Sequence, residues 1–337
     1  MRKKTVHFFL ILMLFVSCSK EDTSKDQIAF YHWKAKADYT KSYEKVINAT
    51  QADKIYMHYF DIESLRKPSW RDDGIYPTYV LKSVAKEYQN LEIVPVVYIA
   101  NNVFKTKRLD VLKLADKLAK LIDQISLKHF DRKMKQIQID CDWSLSTKSD
   151  YFKLLTALNK DFEVDVTIRL HQIKFKDTTG VPPVSKGTLM LYNMGDLRNK
   201  TQNSILETSI VRQYVNDEST FPLKLKVALP LFSQTVVTNN TDKIKLIKNT
   251  NRAVLESDPH FKQINPTNFQ VVRDTLYKGF YLAKGYNLKL EDVNDSEIIS
   301  SYEAIKESEI HIDGLIFYHL DEASLLNHNL KNTIEKL

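Results

Sequence analysis

Gln136-Ile137-Gln138-Ile139-Asp140-Cys141-Asp142-Trp143 is the stretch on which the reading of this chain turns. In an extended strand successive side chains point to opposite faces. Gln136, Gln138, Asp140 and Asp142 therefore share one face, and Ile137, Ile139 and Cys141 share the other. Carboxylates are seldom buried unless they are paired or functional. A strand with one apolar face and one face carrying two acids is a candidate site.

On both sides of this segment short apolar runs alternate with stretches of helical periodicity. Strands are expected at residues 28–33, 54–62, 93–100, 136–143, 165–173, 188–193, 225–232 and 315–320. Helices are expected at 39–50, 77–89, 109–127 and 149–159, where apolar residues recur at helical spacing. The clearest is 109–127, with Leu112, Ala115, Leu118, Ala119 and Ile122 along one stripe. Eight strands alternating with helices predict an α/β fold, a closed parallel (β/α)8 TIM barrel. Pro95 interrupts the third strand, and a proline there suits an end or a bulge. Residues 235–313 are too long for one crossover. They read as an elaborated insertion between strands 7 and 8, with a helix at 243–255, a hairpin over 276–290 turning at Lys284-Gly285, and a helix at 296–306. No repeat or linker divides residues 28–337, which read as a single domain.

The N-terminus indicates the compartment. Arg2, Lys3 and Lys4 precede an apolar run from Val6 to Val16 that is too short to span a bilayer, which needs about 20 apolar residues. It reads as the core of a secretory signal. Phe15-Val16-Ser17-Cys18 resembles the lipobox of bacterial lipoproteins. That resemblance implies a signal peptide over 1–17, lipidation of Cys18, a polar tether over 18–27 and a membrane-anchored mature protein. Ser19-Lys20-Glu21-Asp22 is similar to the short export signal of surface lipoproteins in Bacteroidota-type bacteria, which implies outer-membrane attachment and surface exposure.

Composition narrows the chemistry. The chain has two cysteines, so with Cys18 lipidated Cys141 has no partner for a disulfide. The formal charge of +7 drops to +4 once Arg2, Lys3 and Lys4 are removed, and the remaining lysines are scattered among acids. No basic block with interleaved aromatics points to nucleic acid. Seven glycines include no phosphate loop or dinucleotide fingerprint, and no Cys/His cluster has zinc spacing. No cofactor is expected.

A TIM barrel places its site at the C-terminal ends of its strands. Those ends supply Trp33, Asp61 with Glu63, Asn101 and Asn102, Asp142 with Trp143, His171 and Gln172, Asn193 and Asp196, Gln234, and His319 with Asp321 and Glu322. Polar residues after a strand also mark nothing more than the surface, but Asp140, inside its strand, is not explained that way.

Ile139-Asp140-Cys141-Asp142-Trp143 resembles the fourth-strand signature of chitinase-type glycoside hydrolases, in which alternating acids end in an aromatic and then the catalytic Glu. Leu189-Met190-Leu191-Tyr192-Asn193 resembles that family's sixth strand, whose Tyr and Asp or Asn contact the substrate's acetamido group, and Leu315 to Asp321 its eighth. A wider likeness is to uncharacterised bacterial barrel proteins related to glycoside hydrolases. The resemblance implies a glycan ligand. It departs where it matters most, since Ser144 stands at the position of the general acid. A serine hydroxyl cannot protonate a glycosidic oxygen near neutral pH.

Glycoside cleavage uses two carboxylates. Asp140 and Asp142 lie about 6.6 Å apart by strand rise, and like charges that close raise one pKa. The expected assignment makes Asp142 the acid/base and Asp140 its orienting neighbour, with Glu322 or Asp61 as the opposing carboxylate. Trp33, Trp143 and Tyr192 would offer flat faces to sugar rings, with His171, Asn193, His319 and Asp321 binding substrate. Alternatively, the acids form an inert network with Gln138, Arg169 and His171 in a barrel that only binds carbohydrate or scaffolds a partner. A third possibility is a metal-dependent hydrolase using His58, His171 and His319 with Asp61 or Asp140. Cys141, on the apolar face, reads as a buried structural thiol.

Overall fold

Eight largely apolar runs form the parallel strands of a closed barrel: β1 Ile28–His32, β2 Lys54–Ser64, β3 Glu92–Ile99, β4 Gln136–Asp140, β5 Glu163–Arg169, β6 Lys186–Met190, β7 Lys224–Pro230 and β8 Ile312–Tyr318. Each strand pairs with its sequence neighbours, and β1 pairs in parallel with both β2 and β8, so the sheet has no open seam. The computed structural model describes residues 27–65 and 72–337. The expected leader, Cys18 and residues 18–26 of the tether lie outside the described residues.

Helices pack around the barrel: α1 Lys41–Thr50, α2 Val111–Phe130, α3 Lys148–Leu158, α4 Thr208–Tyr214 and α5 Asp295–Lys306. In α2 the Asp110 side chain accepts from the Lys113 N–H at 3.0 Å, satisfying one orphan donor of the first turn. Its buried stripe runs through Val111, Leu114, Ala115, Leu118, Ile122 and Ile125. Leu112, expected on that stripe, is one step off it and faces solvent. Residues 77–89 are not a helix. They hold a short strand at Ile75–Thr78 antiparallel to β2, then bridged loop, then a single 3-10 turn at Lys86–Asn90. Tyr79 sits there at φ 47°, a left-handed conformation that stops helix growth. Pro95 lies inside β3, but the ladder to β4 begins only at Val96 opposite Gln138.

The insertion after β7 differs from expectation. It is a five-stranded antiparallel sheet of Gln234–Thr238, Ile244–Lys248, Phe261–Gln263, Asn268–Val271 and Asn287–Glu291. The expected helix at 243–255 is a strand followed by one short helix, Arg252–Ser257. Ile244-Lys245-Leu246-Ile247-Lys248 is paired along its whole length with Gln234–Thr238, which overrides its helical spacing. The hairpin is Thr275–Tyr277 against Phe280–Leu282, and it turns at Lys278-Gly279 rather than Lys284-Gly285. Both turn residues have positive φ, 47° and 81°, as a two-residue hairpin turn requires. The sheet has its own small core, with Val237, Ile247, Phe269, Leu288 and Leu290 at its centre.

Candidate active site

Polar side chains meet inside the barrel. Gln138 projects inward from β4, where its carbonyl accepts from the Tyr31 hydroxyl at 2.7 Å and its amide donates to Thr188 at 2.9 Å and to Asp165 at 3.2 Å. Asp165 is buried, which raises its carboxyl pKa against the charge of Lys226. This network closes the barrel floor beneath the rim.

The rim carries the acids. Strand register places Asp61 of β2, Tyr98 of β3 and Asp140 of β4 in one row at the C-terminal end. Asp61 faces inward because β2 slips its register between His58 and Phe60. Without that bulge, residues three apart would face opposite ways. With it, the His58 Nε2 and an Asp61 oxygen meet at 2.7 Å. Asp140 accepts from the Thr167 hydroxyl at 2.7 Å. Burial pushes its carboxyl up from 3.8 to about 6; the Thr167 hydrogen bond opposes this, Asp142 and Asp61 add to it, and Arg169 opposes it. Burial and the Asp140 and Asp142 charges also raise the Tyr98 phenol.

Asp142 lies past the end of β4 and is half exposed, held by two bonds from Arg169, Nε at 2.7 Å and Nη2 at 3.0 Å. Asp140 is thus a rim carboxyl whose pKa burial raises. Arg169 also donates to the Tyr192 carbonyl at 3.4 Å, tying the ends of β5 and β6 together. His171 is exposed on the short helix Leu170–Lys174 that follows β5, its pKa lowered by partial burial and pulled back up by Asp142.

Aromatic rings form one side of the rim. Trp33 lies against the His58 ring at 4.7 Å, Tyr318 is 5.7 Å from Trp33, and Tyr192 stacks on Tyr318 at 4.8 Å. Beyond this wall opens a cleft of about 490 Å³ lined by Trp33, Asn193, Phe232, Tyr318, His319 and Asp321 among others. Asn193, at φ 54°, turns the chain at the end of β6. Burial pushes the His319 imidazole down to about 4. Asp321 is buried, yet the Lys34 ammonium at 2.6 Å holds its carboxyl below the ordinary value.

Two expected site residues are elsewhere. Trp143 is 5 % exposed, stacks on Tyr151 of α3 and donates to the Thr179 carbonyl at 3.1 Å, so it offers no face to a ligand. The strand ends at Asp140, and the Trp143 N–H closes a turn on the Cys141 carbonyl, which ends the alternation. Glu322 is exposed at the first position of the helix Glu322–Leu325, beside Tyr43 of α1 and outside the group of charges around Asp140. Asp321 caps that helix through the Ser324 N–H, which turns Glu322 outward. Ser144 is occupied by Ser146 and Thr147 hydroxyls, each at 3.1 Å. Cys141 is buried, and burial pushes its thiol pKa upward. Among the described residues no three His, Cys, Asp or Glu side chains converge as a metal site; of the three histidines only His58 meets a carboxylate of the rim. Tyr98, Thr167 and Tyr318 escaped sequence reading, although the alternation of each strand places them on the inner face.

No protein-family model matches the sequence, and no curated protein matches it either. Solved structures do match by shape. The C-terminal domain of a protein assigned as a chitinase in Desulfitobacterium hafniense aligns at 12% identity over 92% of this chain and 98% of its own, with a TM-score of 0.52. The chitinase ChiW of a Paenibacillus species aligns at 11% identity over 92% of this chain and 33% of its own, with a TM-score of 0.50. At such identity the likeness establishes the fold alone, a (β/α)8 barrel.

Proposed function

We propose that the protein binds a glycan across the C-terminal rim of its barrel and hydrolyses it with Asp140 as general acid and Asp61 as general base. The observation that carries this reading is the row of Asp61, Tyr98 and Asp140 beside the aromatic wall. A carboxyl titrating at about 6 keeps its proton into the weakly acidic range and can give it to a glycosidic oxygen there. Asp61, held by His58, takes a proton from the water that attacks the anomeric carbon. Asp142 and Arg169 position this pair and make no bond to substrate. Two strand spacings separate Asp61 from Asp140, about 9.6 Å between Cα atoms, and a wide carboxyl pair leaves room for that water and favours inversion.

The competing reading is a barrel that binds glycan without cleaving it, and it is favoured by Ser144 at the acid position of the resembled signature, engaged with its neighbours. Reducing-end release from chitin-like, peptidoglycan and N-glycan substrates separates the two. Turnover by the wild type that Asp140→Asn abolishes supports hydrolysis; glycan binding with no turnover sinks it. The lipobox-like Phe15-Val16-Ser17-Cys18 carries a further proposal, attachment to the outer membrane through a lipid on Cys18. Mass spectrometry of the mature N-terminus tests it, and an unmodified or uncleaved Cys18 refutes it.

A further inference from the structure

The insertion sheet turns its two faces to different surroundings. Val237, Ile247, Leu288 and Leu290 point into its small core. Alternation then puts Gln234, Val236 and Thr238, Ile244, Leu246 and Lys248, and Asn287, Lys289 and Glu291 on the opposite face. Register arranges them in three rows: Lys248–Gln234–Glu291, then Leu246–Val236–Lys289, then Ile244–Thr238–Asn287. Gln234, Leu246 and Lys248 line the cleft at the barrel mouth. Val236, Thr238 and Ile244 line a second cleft of about 450 Å³ farther out.

The loop after β6 walls both clefts in the same direction. Asn193 and Gly195 face the first, Leu197 belongs to both, and Arg198 to Thr201 face the second. The loop is pinned to the sheet where Lys289 donates to the Asn199 and Gln202 carbonyls and Ser204 to the buried Glu291. Floor and wall therefore form one groove that leaves the barrel mouth and runs on for about 13 Å, the rise of four strand residues.

Unpaired positive charge runs along the groove, Lys248 at the barrel mouth and Arg198 and Lys200 farther out. Among the described residues no carboxylate pairs with Arg198, Lys200 or Lys248, whose side chains are exposed. The acids lining the groove are Asp242 and Asp321, and Asp321 is already bound to Lys34. We infer that the groove holds the continuation of an anionic glycan, with carboxylate or sulfate groups set against Arg198, Lys200 and Lys248 and sugar faces against Leu197, Val236 and Leu246. The inference rests on the barrel mouth being the glycan site and adds the charge of the substrate.

Calorimetric titration with three probes tests it: a hyaluronan oligosaccharide carrying carboxylates, a heparin oligosaccharide carrying sulfates, and neutral chitohexaose. The expected result is tighter binding of at least one anionic probe, weakening as salt rises, and a loss of about tenfold or more in the double variant Arg198→Ala/Lys200→Ala. Neutral chitohexaose should bind the variant and the wild type alike. The exposed lysines of α2 supply the control, Lys113→Ala/Lys128→Ala, which should bind as the wild type. Preference for whichever anionic probe binds more tightly tells carboxylate from sulfate. Equal affinity for charged and neutral probes, insensitivity to the double variant, or no binding of any probe overturns the inference. Turnover without anionic preference removes it and leaves the catalytic proposal standing. Anionic binding lost in the double variant, with no glycan hydrolysed, keeps it and removes the catalytic proposal.

Discussion

Replacing Asp140 by Asn should cost activity and increase stability, with a dependence on pH that is specific to this site. The carboxyl titrates at 3.8 when unperturbed and at about 6 in the folded protein, chiefly because burial disfavours its charged form. Between about pH 4 and 6 the native state holds a proton that the unfolded chain has released, so stability falls as pH rises through that window. At about 1.4 kcal/mol per unit, the ionised carboxylate costs the fold at most about 3 kcal/mol above the window. Asn keeps an oxygen for the Thr167 hydroxyl at 2.7 Å and carries no charge. Thermal melts of both proteins from acid to neutral pH should nearly coincide near pH 4 and diverge by about 6 °C near pH 7, the variant melting higher, at about 2 °C per kcal/mol for a large domain. Parallel curves, or a variant that melts lower at neutral pH, would refute a buried Asp140 with a raised pKa. A site residue whose removal stabilises the protein fits the exchange of stability for chemistry common at active sites.

Other perturbations follow from the same geometry. Arg169→Gln removes a charge that holds the Asp140 pKa down and frees Asp142, so the alkaline limb of the pH–rate profile should move to higher pH; a shift to lower pH would contradict the electrostatic arrangement. His58→Phe keeps a ring against Trp33 but loses the bond to Asp61, and turnover should fall by roughly 10²-fold with little change in melting temperature. Gly314 lies at φ +124°, where an added Cβ would sit 2.6 Å from the Gln27 carbonyl, so Gly314→Ala should destabilise the barrel by at least about 2 kcal/mol in denaturant titration.

The barrel was legible because parallel strands buried on both faces read as apolar runs, and all eight runs became its strands. The insertion was less so, since its strands are short and Ile244–Lys248 owes its conformation to antiparallel pairing with Gln234–Thr238, which overrides its helical spacing. At the site, alternation identified Asp140 but failed one residue later, where the strand stops and Trp143 folds back onto α3. The pairing of Asp61 with His58 depends on a bulge, a register slip that no pattern in β2 announces. Glu322 was misplaced because Asp321 starts a helix there instead of extending β8.

The most direct test follows the anomeric protons of fresh product by NMR while the enzyme cleaves a glycan of defined linkage. With Asp140 as acid and Asp61 two strands away as base, the first product should carry the inverted anomeric configuration, and Asp140→Asn should release none. A retained anomer, or undiminished release by the variant, would contradict the assignment of this pair.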